Sequence, residues 1–283
     1  MEEEKLDKQT CQEGAGQCHS DAVCIDYTDG FCCSCVSPAF GNGRHCVETT
    51  NPRRINGTVS GRLNGVSFDQ LDMHSFVPSK KGRVYTAISS VPDEISSEMI
   101  TLNTICCVIG WMYALKRGPG ARNGFMFTGG DLNRTARIRY QNGEEVVIEQ
   151  KYIYHETSVA REIEMETVIN GYVPKLKYGE KINIDDNSEV YRRVSPGVIR
   201  SSSEHTFNVN NVASRFTLDQ EINFEECAFD PLKDKKDSQR LSVTRTSACY
   251  QPNDKVVRFA MSYIIQKRKL KGHEVQKIKT PKT

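Results

Sequence analysis

The 283-residue chain has no charge excess: 38 Lys and Arg stand against 36 Asp and Glu, a net charge of +2. Without an overall field of either sign, bulk electrostatics selects neither nucleic acid nor an acidic membrane as partner. No apolar run approaches the ~18 residues that a membrane-spanning helix requires. The N-terminus, Met1-Glu2-Glu3-Glu4-Lys5, is acidic and lacks the apolar centre of a signal peptide. A secretory leader, if the protein has one, therefore lies outside this stretch. There is no Gly-x-Ser-x-Gly elbow, His-Glu-x-x-His helix or Walker loop, the local signatures of common hydrolases, zinc proteases and nucleotide-binding enzymes. His19, His45, His74, His155, His205 and His273 show no local metal spacing. Adjacent acids such as Glu144-Glu145 and Glu225-Glu226 point to opposite faces of a strand, which suits solvated charge better than paired catalytic carboxylates. The expectation is a protein that is not an enzyme and uses no cofactor or metal.

What the chain does have is cysteine, unevenly placed. Of 11 cysteines, seven fall between Cys11 and Cys46, and only Cys106, Cys107, Cys227 and Cys249 lie elsewhere. So short a stretch cannot bury enough apolar surface to fold alone, and its cysteines read as a disulfide framework made in an oxidising compartment. Zinc is disfavoured, since Cys33 and Cys35 are one residue apart and no His pair has finger spacing.

After the linker Glu48-Thr49-Thr50-Asn51-Pro52 the character changes. Over the next ~210 residues apolar and polar positions alternate with period two, the mark of half-buried strands. Ile163, Met165 and Thr167 alternate with Glu162, Glu164 and Glu166; Val257, Phe259, Met261 and Tyr263 share one parity, with Arg258 on the other. Asn64-Gly65, Asn123-Gly124, Asn142-Gly143 and Asn170-Gly171 punctuate the runs, and Asn-Gly suits tight hairpins. Ten or more strands at this spacing predict an antiparallel sheet closed on itself or folded into a sandwich. Pro92–Leu115 breaks the alternation and becomes apolar from Ile105 to Trp111. It reads as a short helix followed by a buried strand, or as a helix threading a large barrel.

Particular motifs carry a resemblance. Cys24-Ile25-Asp26-Tyr27-Thr28-Asp29-Gly30-Phe31-Cys32-Cys33-Ser34-Cys35, closed by Phe40-Gly41-Asn42-Gly43-Arg44-His45-Cys46, resembles an EGF-like module. Arg54-Ile55-Asn56-Gly57, Asp72-Met73-His74-Ser75-Phe76, Gly82-Arg83-Val84-Tyr85, Ile109-Gly110-Trp111-Met112, Asn123-Gly124-Phe125, Ser201-Ser202-Ser203, Ile222-Asn223-Phe224-Glu225-Glu226-Cys227 and Arg258-Phe259-Ala260-Met261-Ser262 follow in order. Together they resemble the nidogen (entactin) family, specifically its second globular domain with the EGF-like module before it. Hemicentins carry a related globular domain, but the doubled Cys32-Cys33 favours the nidogens.

The resemblance implies a mainly β fold. An EGF-like module (7–47) precedes an eleven-stranded barrel with a central helix, similar to green fluorescent protein (48–266), and a basic tail or linker follows (267–283). No chromophore triad is present; the only Tyr-Gly pair is Tyr178-Gly179. The implied bridges are Cys11–Cys24, Cys18–Cys33 and Cys35–Cys46. Cys32 is then surplus, and its expected partner is Cys227 in the family's barrel-cysteine motif. Cys106, Cys107 and Cys249 remain unplaced, with buried free thiols as the plainer reading. A calcium site is not expected, because Asp7-Lys8-Gln9-Thr10 lacks the family's acidic pattern.

The implied function is adhesion in basement membranes by a secreted extracellular-matrix protein that binds an immunoglobulin-like module of perlecan and collagen IV. The implied perlecan-binding residues are Arg54, Asp72, His74, Phe76, Tyr85, Asp254 and Arg258. Phe76 stands where the family has Tyr, and Asp254 where it has Glu. Competing readings are a hemicentin-like matrix protein, a secreted enzyme and a small-ligand carrier. Asn56-Gly57-Thr58 and Asn133-Arg134-Thr135 are glycosylation sequons. Asn133 is the expected acceptor, because Asn56 shares the parity of Arg54 and a glycan there would obstruct the site. The tail, with seven Lys or Arg from Lys267 onward against Glu274, suits either a heparan-sulfate-binding arm or an interdomain linker.

Overall fold

The computed structural model describes residues 10–78, 82–156, 161–177, 179–230 and 237–268. Eleven strands build the wall: β1 (Arg53–Leu63), β2 (Val66–Val77), β3 (Arg83–Ile88), β4 (Leu132–Tyr140), β5 (Glu145–Glu156), β6 (Arg161–Gly171), β7 (Asn187–Ser195), β8 (Val198–Val209), β9 (Val212–Asn223), β10 (Ser238–Gln251) and β11 (Val256–Lys267). Around the ring they run β1-β2-β3-β11-β10-β7-β8-β9-β4-β5-β6 and return to β1, antiparallel at every joint except β6 against β1. Closure leaves the wall without a free edge. Asn64 and Gly65, at φ of 51° and 88°, make the tight turn that Asn-Gly favours between β1 and β2.

The alternation holds along most strands and slips at bulges. On β2, Met73 and Val77 face in while Asp72, His74 and Phe76 face out. Phe68 and Leu71 both face in although their parities differ. The register shifts between Val59 and Gly61 on β1, with Gln70 at a φ of 48°. Ser60 Oγ fastens the bulge, accepting from Gln70 N and donating to Asp69 Oδ1, both at 2.9 Å.

Residues 93–112 pass through the barrel as short helical turns that end in the helix Cys107–Met112. The reading of Ile105–Trp111 as a buried strand is corrected here. A segment enclosed by a finished ring has no strand to pair with, so its N–H and C=O groups must be satisfied within the segment, and it coils. Trp111 is fully buried and stacks on Tyr191 at 5.1 Å and on Phe127 at 6.2 Å. Gly110 lies so close to the Tyr263 ring that a β-carbon would overlap it. Cys106 and Cys107 are buried free thiols beside the helix start, and burial pushes the Cys106 thiol up to about 12.

A polar belt runs around part of the inner wall. Arg134 donates to Gln220 Oε1 at 2.9 Å and to Gln150 Oε1 at 2.7 Å. Gln220 and the Tyr191 hydroxyl donate to Glu189 Oε2 at 2.7 and 2.9 Å. Gln150 reaches inward to the Ile105 carbonyl at 3.2 Å, so the belt also holds the central segment. Such buried groups stabilise a fold only when they are partnered.

The N-terminal unit consists of two short hairpins closed by Cys11–Cys24, Cys18–Cys33 and Cys35–Cys46. Cys32–Cys227 bridges it to the barrel across 195 residues of sequence. His45 stacks on Tyr154 at 4.4 Å, and Asn42 donates to the Thr128 carbonyl at 3.1 Å. Glu226, read from sequence as solvated charge, instead makes a buried bidentate pair with Arg193 at 2.8–3.0 Å.

Two outcomes are expected. Gly110→Ala improves helix propensity but overpacks against Tyr263, so stability should fall by about 1–3 kcal/mol, read from the urea midpoint; an unchanged midpoint would contradict the packing described. Burial holds the His205 imidazole below its ordinary value, against the opposing pull of Glu189, whose Oε1 is 3.9 Å from Nε2. The stability contributed by a neutral His is complete above the unfolded-state value near ~6.5 and is lost as pH falls through the depressed folded value. His205→Gln should therefore lose less stability than wild type between about pH 7.5 and about 5. Parallel losses would show that His205 does not contribute.

Candidate protein-binding face

Strand parity turns five of the seven expected site residues toward one depression in the outer wall. One cross-strand row reads Arg54, Phe76, Tyr85, Ala260, Ser247 across β1, β2, β3, β11 and β10. The next reads Asn56, His74, Ala87, Arg258, Cys249. Long side chains stand around a floor of Ala87, Ala260, Ser247 and Cys249, and this difference in length makes a groove of about 420 Å³. Phe76 is 36% exposed and Tyr85 47%, large aromatic surfaces that ordinary solvated walls seldom offer together.

The groove is braced by its own contacts. The Arg54 guanidinium lies over the Phe76 ring at 5.6 Å and Arg83 over Tyr85 at 5.5 Å. Arg83 also donates to the Arg245 carbonyl at 2.8 Å, and Arg258 Nε donates to Gln251 Oε1 at 2.7 Å. His74 Nδ1 donates to Asn56 Oδ1 at 3.0 Å, which leaves Nε2 of the neutral ring as the outward acceptor. Beneath the face, the Ser75 and Thr86 hydroxyls share a buried hydrogen bond of 2.8 Å that ties β2 to β3.

Asp72 and Asp254 are not among the groove's lining residues. Asp72 is exposed one step along β2, where its backbone carbonyl accepts from Ser89 N at 2.9 Å. Asp254 sits in the exposed turn before β11, and the nearby carboxylate with a described role is Asp93. The Tyr250 hydroxyl first, and Lys255 second, hold Asp93 below the usual carboxylate range. Sequence reasoning missed Arg83 and Gln251 as braces. Hairpin register alone brings Gln251 to Arg258, seven positions away, and no motif marks it. Asn56 and Asn133 are both exposed, on β1 and β4, which are separated by β5 and β6. Among the described residues no group of three or more His, Cys, Asp or Glu side chains is arranged to hold a metal.

An eleven-strand barrel threaded by a helix is the fold of the fluorescent proteins. The photosensitizing fluorescent protein Supernova superposes with a TM-score of 0.61 over 78% of this chain and 96% of its own, at 11% identity, a likeness of fold alone. The family profile of the G2-F domain matches residues 50–231. The solved G2 domain of mouse nidogen-1 superposes with a TM-score of 0.73 at 32% identity, over 83% of this chain and 96% of that one. Nidogen-1 of Homo sapiens is 34% identical over 272 residues, 90% of this chain and 22% of that protein. The chain belongs to the G2-F domain family and is a homologue of the nidogens; it spans about a fifth of the length of that curated relative.

Cys249 in the groove floor is an exposed free thiol, whereas Cys106 and Cys107 are sealed in the barrel. Iodoacetamide should modify Cys249 alone in the native protein and all 3 free cysteines after unfolding without reductant, as counted by mass spectrometry. A native count above one would mean that the interior thiols are accessible.

Proposed function

We propose that this chain is a non-enzymatic adhesion module of the extracellular matrix, secreted into basement membranes, whose groove binds an immunoglobulin-like module of perlecan. The same domain binds collagen IV. One observation carries the reading: Arg54, His74, Phe76, Tyr85 and Arg258, assigned from separate motifs, line one groove. Exposed aromatics with guanidinium groups fixed beside them are the composition of binding hot spots. Asp72 and Asp254 belong to the rim in this reading, where charge orients a partner more than it holds it. Phe76 in place of Tyr keeps the stacking surface and forgoes a hydroxyl bond, so affinity falls below that of a Tyr-bearing relative. A carrier role is disfavoured because the interior is filled by the central segment.

The proposed units are an EGF-like module over 7–47, the barrel over 48–266 and a basic tail from 267, whose heparan-sulfate role falls on residues outside those described. A glycan at Asn133 leaves the groove open, whereas one at Asn56 covers it.

Surface binding to perlecan immunoglobulin-like modules and to collagen IV tests the proposal. His74→Ala and Arg258→Ala should each weaken perlecan binding by at least about tenfold without moving the melting temperature. Absence of wild-type binding to both partners refutes the function; unchanged binding by both variants refutes the site.

A further inference from the structure

The barrel wall does not close evenly. The ladder between β7 and β8 runs only from Arg192 opposite Arg200 to Ser195 opposite Val198. Farther along β8 the neighbour is a different segment: Ile184 pairs with Phe207, and Asp185 N donates to the Thr206 carbonyl at 3.1 Å. Between these two ties, Asn187–Tyr191 pair away from the joint with β10, and Ser201–His205 pair away from it with β9. The two facing edges carry no ladder, which makes a slit roughly 15 Å long, tied at both ends.

The strands that flank the slit also hold a cluster of orphaned polar atoms. Glu189 Oε1, Ser201 Oγ, His205 Nδ1 and both amide atoms of Asn187 are buried without a hydrogen-bond partner. Glu189 is 0% exposed, His205 3% and Ser201 4%. Each of these side chains except Asn187 lies on the inward parity of its strand. The neighbouring bonds are already made: Glu189 Oε2 is taken by Tyr191 and Gln220, and His205 Nε2 by Ser203 Oγ at 2.8 Å. Buried polar groups in a stable protein are satisfied by some partner.

The donor set decides which partner. A bound anion would face the Glu189 carboxylate. A metal would find one carboxylate and one imidazole and no third such ligand among the described residues. An apolar molecule would leave all five atoms unsatisfied. Water donates and accepts, and it is the usual occupant of polar interior sites of this kind. We propose that the slit between β7 and β8 is a water port, and that ordered water behind it bridges Glu189, Ser201 and His205. The port solvates the Glu189 end of the polar belt and gives this buried carboxylate a route for proton exchange with solvent.

The test uses the whole wild-type chain and is independent of any partner. Thr206 directs its carbonyl toward the joint, so Ser202 and Glu204, two and four residues before it, direct their amides there too, whereas Ser201, Ser203 and His205 direct theirs to β9. Residue-resolved amide exchange should alternate along β8, with Ser202 and Glu204 faster than their neighbours by about a hundredfold. Water–protein cross-relaxation should reach the His205 ring, and Ser201→Val should diminish it. Uniform protection from Ser201 to His205 means that the slit is sealed by direct pairing and overturns the port. A ring without water contact in the wild type overturns the site.

Discussion

The constraint on which this structure depends is that an eleven-strand ring encloses more space than its own side chains fill. Something must occupy the middle, and here the chain supplies residues 93–112. An interior segment has no partner strand and little water, so it coils into short helices whose apolar side chains meet the wall on every side. Trp111 between Tyr191 and Phe127, and Gly110 beneath the Tyr263 ring, show how closely the filling is matched to the ring. The polar belt belongs to the same solution. Gln150 binds the Ile105 carbonyl where the helical path is interrupted, and Arg134, Gln220 and Glu189 satisfy the groups that this arrangement brings inside.

Filling the interior also shapes the exterior. On a strand with one face buried, the residues that pack inward fix which residues point outward. Met73, Val77, Val84, Ile88, Val257 and Phe259 pack against the core, so His74, Phe76, Tyr85 and Arg258 must face solvent. Because the ring is closed, those residues cannot slide past one another, and the groove is set before any partner arrives. Its braces act in the same direction: Arg54 on Phe76, Arg83 on Tyr85 and Arg258 on Gln251 reduce the rotamer freedom that binding would otherwise remove.

Much of this was legible in the chain because parity is a local property. Leu71, Met73 and Val77 against Asp72, His74 and Phe76 assign the two faces of β2 without any knowledge of its neighbours. Two kinds of fact were not local. Bulges such as the one at Gln70, which turns both Phe68 and Leu71 inward, depend on how one strand meets the next. Cross-strand register, which brings Asn56 to His74 and Gln251 to Arg258, is set by hairpin geometry that no single segment encodes. The apolar run Ile105–Trp111 was ambiguous for a related reason: apolarity reports enclosure, and a strand and a helix can both be enclosed. The choice follows from the ring around it.

The N-terminal unit shows how a small domain with little core acquires a fixed position. Three bridges hold it together, but none of them orients it. Orientation comes from the fourth, Cys32–Cys227, acting with the His45–Tyr154 stack and the Asn42 bond to Thr128. A cross-link over 195 residues restricts the unfolded chain far more than it restricts the folded one, an effect of ~2–5 kcal/mol. The polar and aromatic contacts are individually weak and would not hold two free bodies at one angle. Tethered by the bridge, they need only select among the few orientations that the tether allows. The angle between unit and barrel is therefore a joint property of one covalent bond and several marginal ones, and neither component would fix it alone.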